Sequence, residues 1–132
     1  MTPVADSQRF AAIACGGAIG ALARVELVQA FPAAPAAWPW PTFVANIAGA
    51  LLLGYLATRL QERLPPSTYR RPFAVTGLCG ALTTFSTFQV ELVRITRAGH
   101  PLLALGYGGA SLSAGFAAMT AATLVVRRAR LV

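Results

Sequence analysis

The sequence predicts an all-α membrane protein with four transmembrane helices per subunit, forming one domain over residues 1–132. Three observations carry that prediction. Of the 132 residues, 56% are hydrophobic and only 11% are charged, against about 25% charged in an ordinary soluble domain. Four apolar segments reach the roughly 20 residues that a helix needs to cross a bilayer. The connections between them are short, which makes consecutive helices antiparallel neighbours.

The first span is predicted at 10–31. The segment before it, Met1 to Gln8, is polar and has no basic run ahead of Arg9. The apolar stretch is too long for a signal-peptide core, so it reads as a retained helix. Pro32, Pro35, Pro39 and Pro41 punctuate the first connection, and proline at a helix start sacrifices no hydrogen bond. The second span is predicted at 41–60, with Trp38 and Trp40 at its lip, where amphipathic rings favour the headgroup zone. Arg59, Glu62 and Arg63 end it, and Pro65 and Pro66 stop the helix. Arg70, Arg71 and Pro72 open the third span, at 72–93. Gly99, His100 and Pro101 separate it from the fourth, at 102–126, which Arg127, Arg128 and Arg130 terminate.

Three pairs of small residues stand four apart: Gly16 and Gly20, Ala45 and Gly49, Gly106 and Ala110. That spacing lets helix backbones approach closely in lipid. Cys15 and Cys79 fall inside apolar segments, without metal or redox spacing, and read as small buried apolar residues.

The formal net charge is +7, and all 11 basic residues are arginine. They cluster at span ends rather than along one face, which excludes nucleic-acid binding and makes them anchors and topology signals. Eight (Arg9, Arg59, Arg63, Arg70, Arg71, Arg127, Arg128, Arg130) share the side of both termini. Three (Arg24, Arg94, Arg97) lie opposite. The bias favours cytoplasmic termini.

The sequence shows no catalytic constellation. His100 reads as a turn residue. Asp6 and Glu62 are extramembrane, and Glu26 has Arg24 as a local charge partner. Glu91 falls within the apolar limits of the third span, where a charge is costly and by default functional. Pairing with Arg94 is the simpler alternative. Asn46, the one amide of the second span, offers two donors and no net charge, and an intramembrane Asn commonly bonds a neighbouring helix. Tyr107 and Ser111 are one turn apart on the fourth span, with Gly115 continuing the stripe. Their hydroxyls could replace water around an ion, or bond the preceding turn.

The stretch Gly77-Leu-Cys-Gly-Ala-Leu-Thr-Thr-Phe-Ser-Thr-Phe88 is the most telling. It sets two glycines, four hydroxyls and two phenylalanines in mid-span, a poor hydrophobic helix. Backbone that leaves helical geometry at membrane depth must be buried in protein or line a cavity, as broken transporter helices do. Phe85 and Phe88 share a face. Packing explains most such pairs, but positive ring edges can also favour an anion without an arginine's grip.

This block resembles the signature of the CrcB/Fluc fluoride channels. So do Gly16-Gly-Ala-Ile-Gly-Ala-Leu-Ala-Arg24 and Thr42-Phe-Val-Ala-Asn46-Ile-Ala-Gly49, and the resemblance covers nearly the whole chain. It implies an antiparallel dimer, with the third helix broken at mid-membrane and two narrow fluoride pores at the subunit interface. It implies pore roles for Phe85, Phe88, Asn46, Tyr107, Ser111, Thr42, Thr84 and Glu91. It also implies a central sodium ion held by the backbone carbonyls of Gly80 and Thr83 from both subunits, with Arg24 and Gly77 structural. Ala81, Pro41 and Val25 depart from the family pattern outside those pore positions. The lopsided arginine count leaves a paralogue heterodimer beside the homodimer.

The reading that results is a non-enzymatic, passive fluoride exit channel in the cell (inner) membrane. The runner-up is a small proton-coupled multidrug exporter of dual topology. It would need an embedded acid in the first span, where only Glu26 is available and lies late. A non-transporting assembly subunit is the third reading, and it leaves the hydroxyl cluster idle.

Overall fold

The structure is a computed structural model that describes residues 3–31 and 37–129. Pro32, Pro35 and Arg130 lie outside the described residues. Five α-helices and one π-helical segment follow in order: α1 (Pro3–Ala30), α2 (Trp40–Glu62), the π segment (Pro72–Cys79), the single turn α3 (Gly80–Leu82), α4 (Phe85–Arg97) and α5 (Pro101–Arg128). Four stretches are long and apolar enough to cross a membrane: Asp6–Ala30, Trp40–Glu62, Pro72–Arg97 and Pro101–Arg128. They coincide with the four predicted spans and overrun them at the polar ends. A helix of α5's 28 residues is about 42 Å long, more than the roughly 30 Å hydrocarbon core, so charged ends project into the headgroups.

The distribution of side chains is that of a lipid-embedded protein. Leu102 is 82% exposed and Phe116 76% exposed, whereas Ala45, Thr42 and Thr84 are buried. A soluble fold would bury the former set. In lipid, close approach of backbones through small residues holds helices together instead.

Two packing units result. In the first, α1 lies on the π segment and α3. A methyl group on Gly16 would collide with the Phe73 carbonyl, and one on Gly20 with the Leu78 carbonyl. From the other side, a methyl on Gly77 would sit 2.6 Å from the Ile13 carbonyl oxygen. Only glycine permits this approach. In the second unit, α2 packs along α5, and α4 packs on α5. Here Gly54 meets the Met119 carbonyl, Thr58 Oγ1 donates to Thr123 Oγ1 at 3.4 Å, and Arg63 donates to the Val126 carbonyl at 2.5 Å. Arg127 pairs with Glu62 at 2.9 Å.

Of the predicted small pairs, Gly16/Gly20 and Ala45/Gly49 are at helix contacts, Gly49 against the Thr83 methyl. Gly106 has open space beside it, so it makes no close backbone contact among the described residues, and Gly54 brings α2 onto α5 instead. The π segment was not foreseen. Its i→i+5 bonding widens the helix and is rare outside functional regions.

The turn between α4 and α5 follows from Gly99. Its φ of +86° is the left-handed conformation that glycine adopts freely. Its N–H donates to the Thr96 carbonyl at 3.1 Å, and that of His100 to the Ile95 carbonyl at 3.2 Å. This is a Schellman motif, with His100 exposed in it as expected.

Candidate functional site: a helix interruption beside a polar seam

Helical geometry stops after Leu82 and resumes at Phe85. Between them Thr83 (φ −81°, ψ 152°) and Thr84 (φ −147°, ψ 113°) are extended. The predicted hydroxyl-rich stretch is therefore where the third span leaves helical geometry, and its backbone groups need other partners.

Asn46 of α2 supplies the most informative pair. Its Nδ2 donates to the Thr84 carbonyl at 3.2 Å, and its Oδ1 accepts from the Thr84 N–H at 2.8 Å. One carboxamide thus satisfies both backbone groups of a single residue, as a neighbouring strand would. The Thr84 hydroxyl accepts from the Thr87 N–H at 3.3 Å and so caps α4. It also donates to Thr87 Oγ1 at 2.9 Å. The Thr83 hydroxyl donates back to the Cys79 carbonyl at 3.0 Å. Outside the helices' own bonding, no donor among the described residues reaches the carbonyls of Gly80 and Thr83.

One turn further along α4, Glu91 joins three helices. Its Oε1 accepts from the Thr42 hydroxyl of α2 at 2.6 Å. Its Oε2 accepts from the Tyr107 hydroxyl of α5 at 2.8 Å. Hydrogen bonds to a carboxylate are the stronger kind, and these two offset part of the cost of an acid in a span. The alternative pairing with Arg94 does not form; nor does a pair between Glu26 and Arg24. Glu26 is exposed near the end of α1 and Arg24 half-buried.

Aromatic rings surround this seam. Tyr107 is fully buried, with Phe88 on one side at 5.3 Å and Trp38 edge-on at 5.4 Å. Phe85 and Phe88, 5.9 Å apart, are unlike each other. Phe88 is 6% exposed and packed in the seam; Phe85 is 65% exposed and points out of the chain. Ser111 Oγ, one turn beyond Tyr107, is buried beside the Tyr107 hydroxyl without a well-formed hydrogen bond. Trp38 Nε1 is buried with no hydrogen-bond partner among the described residues.

The structure thus brings together Thr42, Asn46, Thr84, Phe88, Glu91 and Tyr107, with Ser111 following on α5. Gly77 belongs to the α1 contact, and Arg24 lies in the last two turns of α1. Asn46 bonds a neighbouring segment, as expected of an intramembrane Asn, and its partner is the Thr84 backbone. One contact was missed from sequence: Trp38 packs edge-on against Tyr107, with no signal beyond an aromatic at a helix lip.

A helical bundle with apolar outer faces, and with a polar seam beside interrupted backbone, defines a multi-pass membrane protein. Comparison with known proteins makes the assignment specific. Residues 11–123 match the family described as CrcB-like protein, Camphor Resistance (CrcB), and the chain belongs to that family. It is 52% identical over 129 residues to "Fluoride-specific ion channel FluC 1" of Mycobacterium bovis, covering 98% of each chain. It is 53% identical to the protein of the same name from Mycolicibacterium paratuberculosis, over 95% of each. "Fluoride-specific ion channel FluC 2" of Thermobifida fusca is 40% identical, over 92% of this chain and 93% of its own.

Proposed function

We infer that this chain is a subunit of a fluoride-selective channel that lets cytoplasmic fluoride leave the cell passively through the inner membrane. The observation that carries the reading is 52% identity to a fluoride-specific channel over almost the full length of both chains. The polar groups of that length gather in one seam. Hydrofluoric acid crosses membranes as a neutral molecule and ionises at cytoplasmic pH, and a membrane potential negative inside then drives the anion outward. The chemistry fits. Fluoride is small and tightly hydrated, so a pore must replace its water with many weak donors and hold it loosely enough to release it.

The donors not already committed are the remaining amide hydrogen of Asn46, the Ser111 hydroxyl and the ring edges of Phe85 and Phe88. The hydroxyls of Thr42 and Tyr107 give their protons to Glu91 and that of Thr84 to Thr87, so they join the pore wall only if those bonds exchange. The Ser111 hydroxyl makes no well-formed hydrogen bond and is the freest of the hydroxyls. Glu91 repels anions, so its role is to orient the Thr42 and Tyr107 hydroxyls at the pore's edge.

The outward-facing Phe85 supports an antiparallel homodimer, since its ring would line a pore only with a second subunit. A heterodimer with a paralogue meets the same need. A third helix broken at mid-membrane fits the extended Thr83–Thr84 pair. Gly80 and Thr83 carbonyls without donors outside the helices' own bonding suit a central sodium ion, a hard cation that takes oxygen ligands. When bound, the ion would neutralise those dipoles and fix the interrupted backbone. The comparisons lend no support to a proton-coupled exporter.

Efflux from liposomes containing the purified protein tests the reading, with fluoride and chloride electrodes in parallel. Fast fluoride loss with chloride retained is expected. Well-folded protein that releases neither ion, alone or with a paralogue, overturns it. Replacing sodium by a bulky organic cation on both sides should lower the fluoride rate.

A further inference from the structure

A cleft of about 730 Å³ opens at the arginine-rich end of the molecule, between the start of α1, the connection after α2 and the start of the π segment. Its wall carries Arg9, Arg71, Ser67, Thr68 and Thr76, with Val75 and two prolines as its apolar part. No acid lines it, and neither Arg9 nor Arg71 forms an ion pair with a described acid. Glu62, at the same end, is engaged by Arg127. The cleft therefore combines two uncompensated guanidinium groups with three hydroxyls, the donor set that suits a phosphate group.

Its position narrows the source. Phe10, 71% exposed, follows Arg9 on α1, and exposed Tyr69 lies just before the third span, the sequence position at which interfacial aromatic rings gather. Arg70 lines an adjoining cavity with Gln8 and Tyr69, extending the positive surface. A molecule seated here meets arginine and hydroxyl groups in the cleft and lies next to exposed apolar side chains such as Phe10. That combination matches a phospholipid rather than a free ion, and basic pockets of this kind between spans hold anionic headgroups.

We propose that the cleft bounded by Arg9, Ser67, Thr68 and Arg71 is a site for the phosphodiester headgroup of one anionic phospholipid per chain. It stands apart from the polar seam and does not depend on which ion the protein conducts.

The test is native mass spectrometry of the intact protein in detergent, titrated with phosphatidylglycerol against phosphatidylcholine. Wild type should retain phosphatidylglycerol preferentially. The R9A/R71A double variant should lose that preference by about thirtyfold, at the interfacial value expected for two arginines. R9K/R71K should keep most of it, and R97A, at the opposite end, all of it. Retention should also fall as salt rises in the wild type, which needs no variant. Equal retention of both lipids by wild type, or a preference intact in R9A/R71A, overturns the proposal. Displacement of the lipid by millimolar inorganic phosphate assigns the cleft to a soluble phosphate and overturns it as well.

Discussion

The contact between α1 and the π segment and the seam between α2, α4 and α5 hold helices together by opposite means. The first works by the absence of side chains: Gly16, Gly20 and Gly77 let backbone touch backbone. The second works by polar groups that answer one another, Asn46 with Thr84 and Glu91 with Thr42 and Tyr107. Added volume should therefore damage the first, and lost hydrogen bonds the second. A contact made of volume alone is structural, whereas paired polar groups in lipid cost energy and need a function to explain them.

The largest effect is expected at the glycine contact. Gly16→Val or Gly77→Val places branched carbon where a neighbouring carbonyl already lies. Overpacking costs about 1–3 kcal/mol where neighbours can shift, and backbone shifts little, so the upper end or beyond is expected. Size-exclusion profiles and thermal aggregation should both show loss of folded protein. A monodisperse, fully active Gly16→Val would show that α1 does not pack this way in the membrane.

Asn46→Leu comes next. It strands the Thr84 N–H and carbonyl, at about 1–3 kcal/mol for each buried unsatisfied group. Protein yield should fall, and fluoride flux should fall further, by on the order of a hundredfold. Asn46→Asp keeps the shape but loses the donor to the Thr84 carbonyl and adds negative charge, so flux should collapse while the fold survives better than in the leucine variant. Equal flux in wild type and Asn46→Asp would remove Asn46 from the conduction path.

Tyr107→Phe is milder. It keeps the packing between Phe88 and Trp38 and removes one donor to Glu91, which is worth about 1.5–3 kcal/mol for a bond to a charged group. A drop in fluoride flux of roughly tenfold, with unchanged assembly, is expected. The two phenylalanines should separate within the same assay. Phe88→Ile disturbs packing as well as flux, whereas the exposed Phe85→Ile should lower flux and leave subunit stability nearly unchanged.

The smallest effect is expected from Arg127→Ala. Its ion pair with Glu62 is at the surface, with Arg127 59% exposed, and such pairs contribute about 0–1 kcal/mol. A shift in thermal midpoint within error should accompany wild-type flux.

These two regions were unequally legible in the sequence. The spans could be read because bilayer thickness sets helix length, and Arg59, Arg70 and Arg127 mark where apolar sequence ends. Gly16 and Gly20 could be read because spacing four apart is a property of one helix. Which partner they meet is not, and the same spacing at Gly106 and Ala110 leaves Gly106 with open space beside it. The hydroxyl-rich stretch from Thr83 to Thr87 announced an unusual helix but not how its backbone is satisfied, since that depends on Asn46, 38 residues away. The π geometry of Pro72–Cys79, the segment that packs against α1, left no mark in composition. Glu91 was visible as an acid in a span. That it answers Thr42 and Tyr107 rather than Arg94 required three helices to be placed.

The most direct test of the central claim is the reversal potential of the purified protein in a planar bilayer, under opposing gradients of fluoride and chloride. Current that reverses at the fluoride equilibrium potential, and does not move when chloride is changed tenfold, is the expected result. A reversal potential that follows chloride or pH, in protein whose assembly is intact, would contradict it.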